Sequence, residues 1–127
     1  MAEGYTYDAS MLVACERGQR DALALHKRAL ADHRAVTVPA AVLAQVWRGG
    51  PQAQVSRLLI PCHVEAMTEQ VARSSGTACG LAQTADVVDA SVVVGAIQRD
   101  DIVVTSDEDD IKHLADSIGH PIGIRPI

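Results

Sequence analysis

Four aspartates stand where metal-dependent chemistry could be built. Asp8 follows the short alternating run Tyr5-Thr-Tyr, and Asp107 follows the apolar run Ile102-Val-Val-Thr-Ser. Positions just past the carboxyl ends of parallel strands are where open α/β sheets place ligand sites. Asp86 and Asp89 lie near the start of a largely apolar stretch, three residues apart and so on one face of a helix. At roughly 5 Å and an effective dielectric of ~20, two carboxylates repel by about 3 kcal/mol. Gathering several of them requires raised pKa values or a cation between them. Hard divalent cations take oxygen ligands, so the chemistry implied is a Mg²⁺ or Mn²⁺ site. Each acid also has a plainer role open to it. Asp8, Asp86 and Asp107 could each cap the helix that follows, and Asp89 could complement that helix's dipole from its first turn. Glu108, Asp109 and Asp110 read as a solvated turn with one spare ligand at most.

The elements that must position these acids follow from patterning. Tyr5-Thr-Tyr, Val36-Thr-Val, His63-Val-Glu, Ile102-Val-Val and Pro121 to Arg125 read as short strands. Between them run helical stretches: from Ser10 to a stop at Gly18, Asp21 to Ala31, Pro39 to Trp47, a turn carrying Val55, Leu58 and Leu59, Thr68 to Arg73, Asp86 to Ile97, and Asp109 to Ser117. Val87, Val88 and Val92-Val-Val give the Asp86–Ile97 stretch strand-like propensity, while its length and its Ala90, Gly95 and Ala96 favour helix. Strands alternating with helices, and apolar strands without a period of two, predict an α/β fold with a parallel sheet. The 127 residues suit a single domain, 1–127, without repeats or linkers.

Composition narrows the function. The chain is 48% hydrophobic but only 2% aromatic, with Trp47, Tyr5, Tyr7 and no Phe. Its core must be mainly aliphatic, and base-stacking platforms are excluded. Trp47 is expected to pack against its own helix. Net charge is −5, unevenly spread. Residues 1–57 carry seven bases against five acids, whereas residues 86–116 carry nine acids against Arg99 and Lys112. That asymmetry suits a cation site beside an anionic substrate. Cys15, Cys62 and Cys79 show no CxxC spacing, there is no signal-like start, and no apolar run approaches the ~20 residues of a membrane span. A cytoplasmic protein with reduced thiols is expected.

Taken in order, the segments Tyr7-Asp-Ala-Ser, Val38-Pro-Ala-Ala-Val-Leu-Ala-Gln-Val-Trp-Arg, Val88-Asp-Ala-Ser and Val103-Val-Thr-Ser-Asp resemble the PIN-domain nucleases. Within them the chain is most similar to the VapC-type toxins of bacterial toxin–antitoxin pairs. The resemblance covers nearly the whole chain. It implies a three-layer α/β/α PIN-like fold with a central parallel sheet, and a Mg²⁺- or Mn²⁺-dependent ribonuclease. It also implies homodimerisation and a small antitoxin partner. The family's catalytic, metal-holding acids fall on Asp8, Asp89 and Asp107. A fourth, usually Glu, falls at position 45, where this chain has Gln45. Gln keeps a carbonyl oxygen but loses the charge, and Asp86 stands one turn before Asp89 where it could restore it.

Ser10 and Ser106 are candidates to hydrogen-bond the carboxylates, and Arg17, Arg20 and Arg48 to contact the RNA backbone. Two other functions fit parts of the pattern. One is a PIN-fold binding module without nuclease activity, paired with an antitoxin. The other is an aspartyl phosphatase, a class that usually carries a second Asp two residues after the first, where this chain has Ser10.

Overall fold

A computed structural model describes residues 3–127. Its strands are β1 (Tyr5–Tyr7), β2 (Val36–Pro39), β3 (His63–Glu65), β4 (Ile102–Thr105) and β5 (Gly123–Pro126). All four pairings are parallel, in the order β3-β2-β1-β4-β5. The helices are α1 (Ala9–Glu16), α2 (Arg20–Ala31), α3 (Ala40–Val46), α4 (Ala53–Leu59), α5 (Glu69–Ala82), α6 (Val87–Arg99) and α7 (Glu108–Ile118). None of them is long and apolar enough alone to cross a membrane.

The central strand β1 shows why three layers form. Successive strand residues point to opposite faces. The Tyr7 hydroxyl reaches Nδ1 of His26 on α2 at 2.8 Å. Thr6, between the two tyrosines, bonds instead to Arg99 at the end of α6 and to Asp101. One layer is thus α1 with α2, α3 and α4 around it, and the other is α5, α6 and α7. A sheet covered on both faces needs apolar residues without alternation. Val103 and Val104 of β4 are both fully buried. The core is aliphatic apart from Tyr7, whose one polar atom is matched to His26. Burial holds the His26 pKa below its ordinary value, so the neutral ring can accept the Tyr7 proton.

Helix α6 runs through the middle of the molecule. Ala90 to Ala96 are all buried, and burial overrides the strand propensity of its valines. Gly95 leaves room for the ends of two charged side chains. A Cβ there would lie 2.7 Å from Glu65 Oε1 and 2.9 Å from Arg99 Nη2, closer than real Cβ contacts. The Arg99 side chain spreads over this gap and ties α6 to β1, to β3 and to the residue before β4. Nε donates to Asp101 Oδ2 at 2.9 Å, Nη2 to Thr6 Oγ1 at 3.0 Å, and Nη1 pairs with Glu65.

Several boundaries differ from expectation. Helix α5 extends to Ala82 rather than ending near Arg73, because Ser75, Ala78, Cys79 and Ala82 form a small-residue face buried against α6 and α7. That packing overrides the weak helix preference of Ser74, Ser75 and Gly76. Pro39 is the last residue of β2 and caps α3 instead of opening it, since its φ of −59° serves either state and its ψ of 140° is extended. Asp86 caps α6 from outside. Trp47 lines a hollow together with Leu43 and Ala44 of α3 and Ser56 and Leu59 of α4, and stays 40% exposed.

Candidate active site

The carboxyl ends of β1 and β4 are neighbours, because Tyr7 pairs in register with Val104. Asp8 is the next residue on one side and Thr105 the next on the other. Asp8 is 1% exposed. Its Oδ1 accepts from the Met11 amide at 3.1 Å and from Ser10 Oγ at 2.5 Å, and its Oδ2 accepts from the Thr105 hydroxyl. Capping α1 and facing the site are therefore not alternatives for Asp8; it does both. Thr105 Oγ1 in turn accepts the Asp107 amide at 2.8 Å, and Ser10 Oγ accepts the Ser106 amide at 2.8 Å. Two hydroxyls on one carboxylate thus clamp the β1–α1 corner to the β4–α7 corner. Burial raises the Asp8 pKa above its ordinary value despite these three donors.

The other acids arrive from helix starts. Asp86 Oδ1 accepts the Asp89 amide at 3.0 Å and caps α6, which aims both carboxylates from the first turn. Asp107 occupies the capping position of α7, yet its side chain caps no amide. Asp110 follows one turn later on the same face of α7. Asp8, Asp86, Asp89, Asp107 and Asp110, with Gln45 and Ser10, line one pocket of about 420 Å³ whose remaining walls are Ala9, Val13 and Val46. No cationic side chain lines it.

The cost of this crowding shows at Asp89. Burial, then the charge of Asp86, then those of Asp8 and Asp107, raise its pKa from 3.8 to about 7. A pKa raised on folding means that the folded chain keeps a proton between about pH 4 and 7 that the unfolded chain has lost. The contribution of Asp89 to stability therefore falls as pH rises through that window, and above it the ionised group opposes folding. A divalent ion removes the same penalty. The rise in melting temperature on adding Mg²⁺ should therefore be larger at pH 8 than at pH 5, and Asp89→Asn should flatten the difference. Equal metal-induced shifts at both pH values would contradict this assignment.

The donor set fits a particular kind of ion. Among the described residues no three acids converge closely enough to cage one ion directly. A pocket of five carboxylates at wider spacing suits an ion held through one or two of them with waters between, which is the usual habit of Mg²⁺. Cysteine nucleophiles are not offered: Cys15, Cys62 and Cys79 are unpaired, and burial pushes the Cys15 and Cys62 thiols up to about 11.

Of the residues singled out in the sequence, Asp8, Asp86, Asp89, Asp107, Gln45 and Ser10 share the pocket. Ser106 departs from expectation, because only its backbone amide joins the network, while the hydroxyls on Asp8 belong to Ser10 and Thr105. Strand register, not motif spacing, selects Thr105. Asp110, part of what the sequence suggests is a solvated turn with one spare ligand at most, adds a fifth carboxylate to the pocket. Arg17 lines a side pocket next to the acids. Arg48 spends Nη1 on the Trp47 carbonyl at 2.8 Å, and Arg20 opens α2, lining neither pocket. A larger hollow of about 570 Å³ between α2 and β5 holds Arg28, already paired with Asp32, and Arg34, lying over the Tyr5 ring. Its walls offer no comparable set of acids.

No family model matches the chain, and no curated protein matches it in sequence. A solved structure does match: VapBC2 from Rickettsia felis, bound to a DNA fragment from their promoter, aligns over 96% of this chain and 97% of that one. The TM-score is 0.66 and the sequence identity 14%. What is shared at that identity is the fold. The chain has the three-layer, PIN-like α/β/α architecture around a central parallel sheet that the resemblance implied.

Proposed function

We propose that this protein is a divalent-metal-dependent ribonuclease that hydrolyses RNA phosphodiesters at the acidic pocket, a toxin of the VapC kind held by an antitoxin. The observation that carries this reading is the convergence of Asp8, Asp86, Asp89 and Asp107 on one pocket with Asp89 raised to about 7. Such an arrangement favours a cation strongly and little else. Asp8, Asp89 and Asp107 would hold Mg²⁺ or Mn²⁺ partly through bridging waters, with Asp86 adding charge. The ion would supply a water of lowered pKa and neutralise charge on the phosphate. The protein's part is orientation. Ser10 and Thr105 fix the Asp8 plane, and the Asp86 cap fixes the start of α6 beneath Asp89.

An antitoxin partner, a homodimer and a cytoplasmic setting belong to the same proposal, supported by the likeness to VapBC2 and by the unpaired thiols. The test is purified protein with single-stranded RNA in Mg²⁺, Mn²⁺ or EDTA; cutting that persists in EDTA would overturn it. Gln45 favours one second reading, a PIN-fold module that binds its partner without cutting, since a neutral side chain lines the pocket where charge is wanted. Gln45→Glu should tighten Mg²⁺ binding on the order of tenfold by added Coulomb attraction, read by calorimetry. Unchanged affinity would show that Asp86 and Asp110 already supply the charge. An aspartyl phosphatase is disfavoured, because Ser10 stands where a second acid is wanted.

A further inference from the structure

Beside the acidic pocket lies a second one of about 220 Å³, lined by Ser10, Val13, Ala14, Arg17, Gln19, Ser106 and Ile127. Ser10 and Val13 are walls of both, so the two hollows adjoin. Ser10, Val13 and Arg17 fall at i, i+3 and i+7, one stripe of α1 running away from Asp8. Arg17 is the C-cap and still helical, with φ −78° and ψ −1°. Its Cα therefore stands about 10 Å along the axis from that of Ser10, and its Cβ tilts back towards it.

Arg17 is the only cation lining either pocket, and it makes no ion pair among the described residues. The Gln19 side chain caps no amide and donates no hydrogen bond among the described residues, so its Nε2 is free to donate. A cationic fork one short step from a wall of carboxylates has a clear electrostatic use. An RNA strand entering the acidic pocket brings negative charge on both sides of the bond to be cut. The metal can offset that charge at the scissile phosphate only. With no aromatic side chain in either wall, bases cannot be gripped by stacking, and the backbone must supply the hold.

Resting on the nuclease reading above, we propose that the Arg17 pocket seats the phosphate flanking the scissile one on a single-stranded RNA, with Arg17 as its charged contact and Gln19 as a hydrogen-bond donor.

The test is binding of a fluorescently labelled single-stranded RNA, measured by anisotropy across a salt series in Ca²⁺ before products appear on a parallel gel. Each phosphate contact on a single strand contributes about 0.7 to the slope of log affinity against log salt. Arg17→Gln should lower the slope by about that amount and weaken binding roughly tenfold at low salt, and Arg17→Lys should restore the slope. Arg57→Gln, an exposed change on α4 outside both pockets, should match the wild type. A methylphosphonate scanned along the RNA should weaken wild-type binding at one position where it has no effect on Arg17→Gln. Equal slopes for wild type and Arg17→Gln, or no position with that dependence, would overturn the proposal. RNA that binds with the Arg17-dependent slope but is not cut would leave this subsite standing and remove the nuclease. Cutting with an unchanged slope would do the reverse, and absence of binding would remove both.

Discussion

Asp8→Asn is expected to lower metal-dependent RNA cleavage by about a thousandfold, roughly 4 kcal/mol of transition-state stabilisation, the scale of losing one preorganised electrostatic contact. It should do so without unfolding the protein. Asn keeps an oxygen to accept from the Met11 amide and Ser10, as Asp8 Oδ1 does. Its amide nitrogen then faces Thr105 Oγ1, which can accept that bond in addition to the Asp107 amide, leaving the Thr105 proton without an acceptor. Against that cost stands the relief of a buried charge, because folding raises the Asp8 pKa. The metal-free variant should therefore melt within a few degrees of the wild type while losing the stabilisation that Mg²⁺ confers. Gel assays of RNA cutting beside thermal melts with and without Mg²⁺ separate the two effects. A variant that keeps a tenth or more of the wild-type rate would remove Asp8 from the chemistry.

The second large effect is on stability and sits at the other end of α6. Arg99→Leu should cost about 3–5 kcal/mol, the penalty for stripping the partner from buried carboxylates. Arg99 and Glu65 are 24% and 20% exposed at their side chains and Asp101 7%, so water can replace the guanidinium only in part. Glu65 Oε1 already lacks a hydrogen-bond partner, which leaves no slack in the network. Against a typical 5–15 kcal/mol of total stability, such a loss would lower the melting temperature by roughly 10–20 °C. Arg99→Lys should fall between, since an ammonium keeps the charge but cannot serve Thr6, Glu65 and Asp101 in one planar fork. Urea unfolding gives the numbers, and a loss under 1 kcal/mol would show that the clasp is dispensable. The same clasp fixes the helix whose first turn carries Asp89, so Asp101, Thr6 and Glu65 reach the site through α6.

These two residues mark the limit of what local pattern conveys. Asp8 and Asp107 are visible in the chain because an apolar run ends before each and a helix begins after it, and Asp89 because it stands near the start of a largely apolar helical stretch. The parallel sheet is visible for a related reason, since strands buried on both faces must be continuously apolar, as Val103 and Val104 are. Gln45 stands out only through the resemblance, which puts a Glu at that position. The Arg99 clasp, the Thr105 bond to Asp8, the reach of α5 to Ala82 and the place of Asp110 do not appear at that level. Thr105 and Asp8 are 97 positions apart, and Arg99 and Thr6 are 93 apart. Each pair meets because β1 lies between β2 and β4, an order set by how two helical layers cover one sheet. Local propensity and spacing act over a few residues, so they can place an acid at the end of a strand. Which hydroxyl holds that acid, and which arginine lies beside it, depends on long-range packing that only the folded chain expresses.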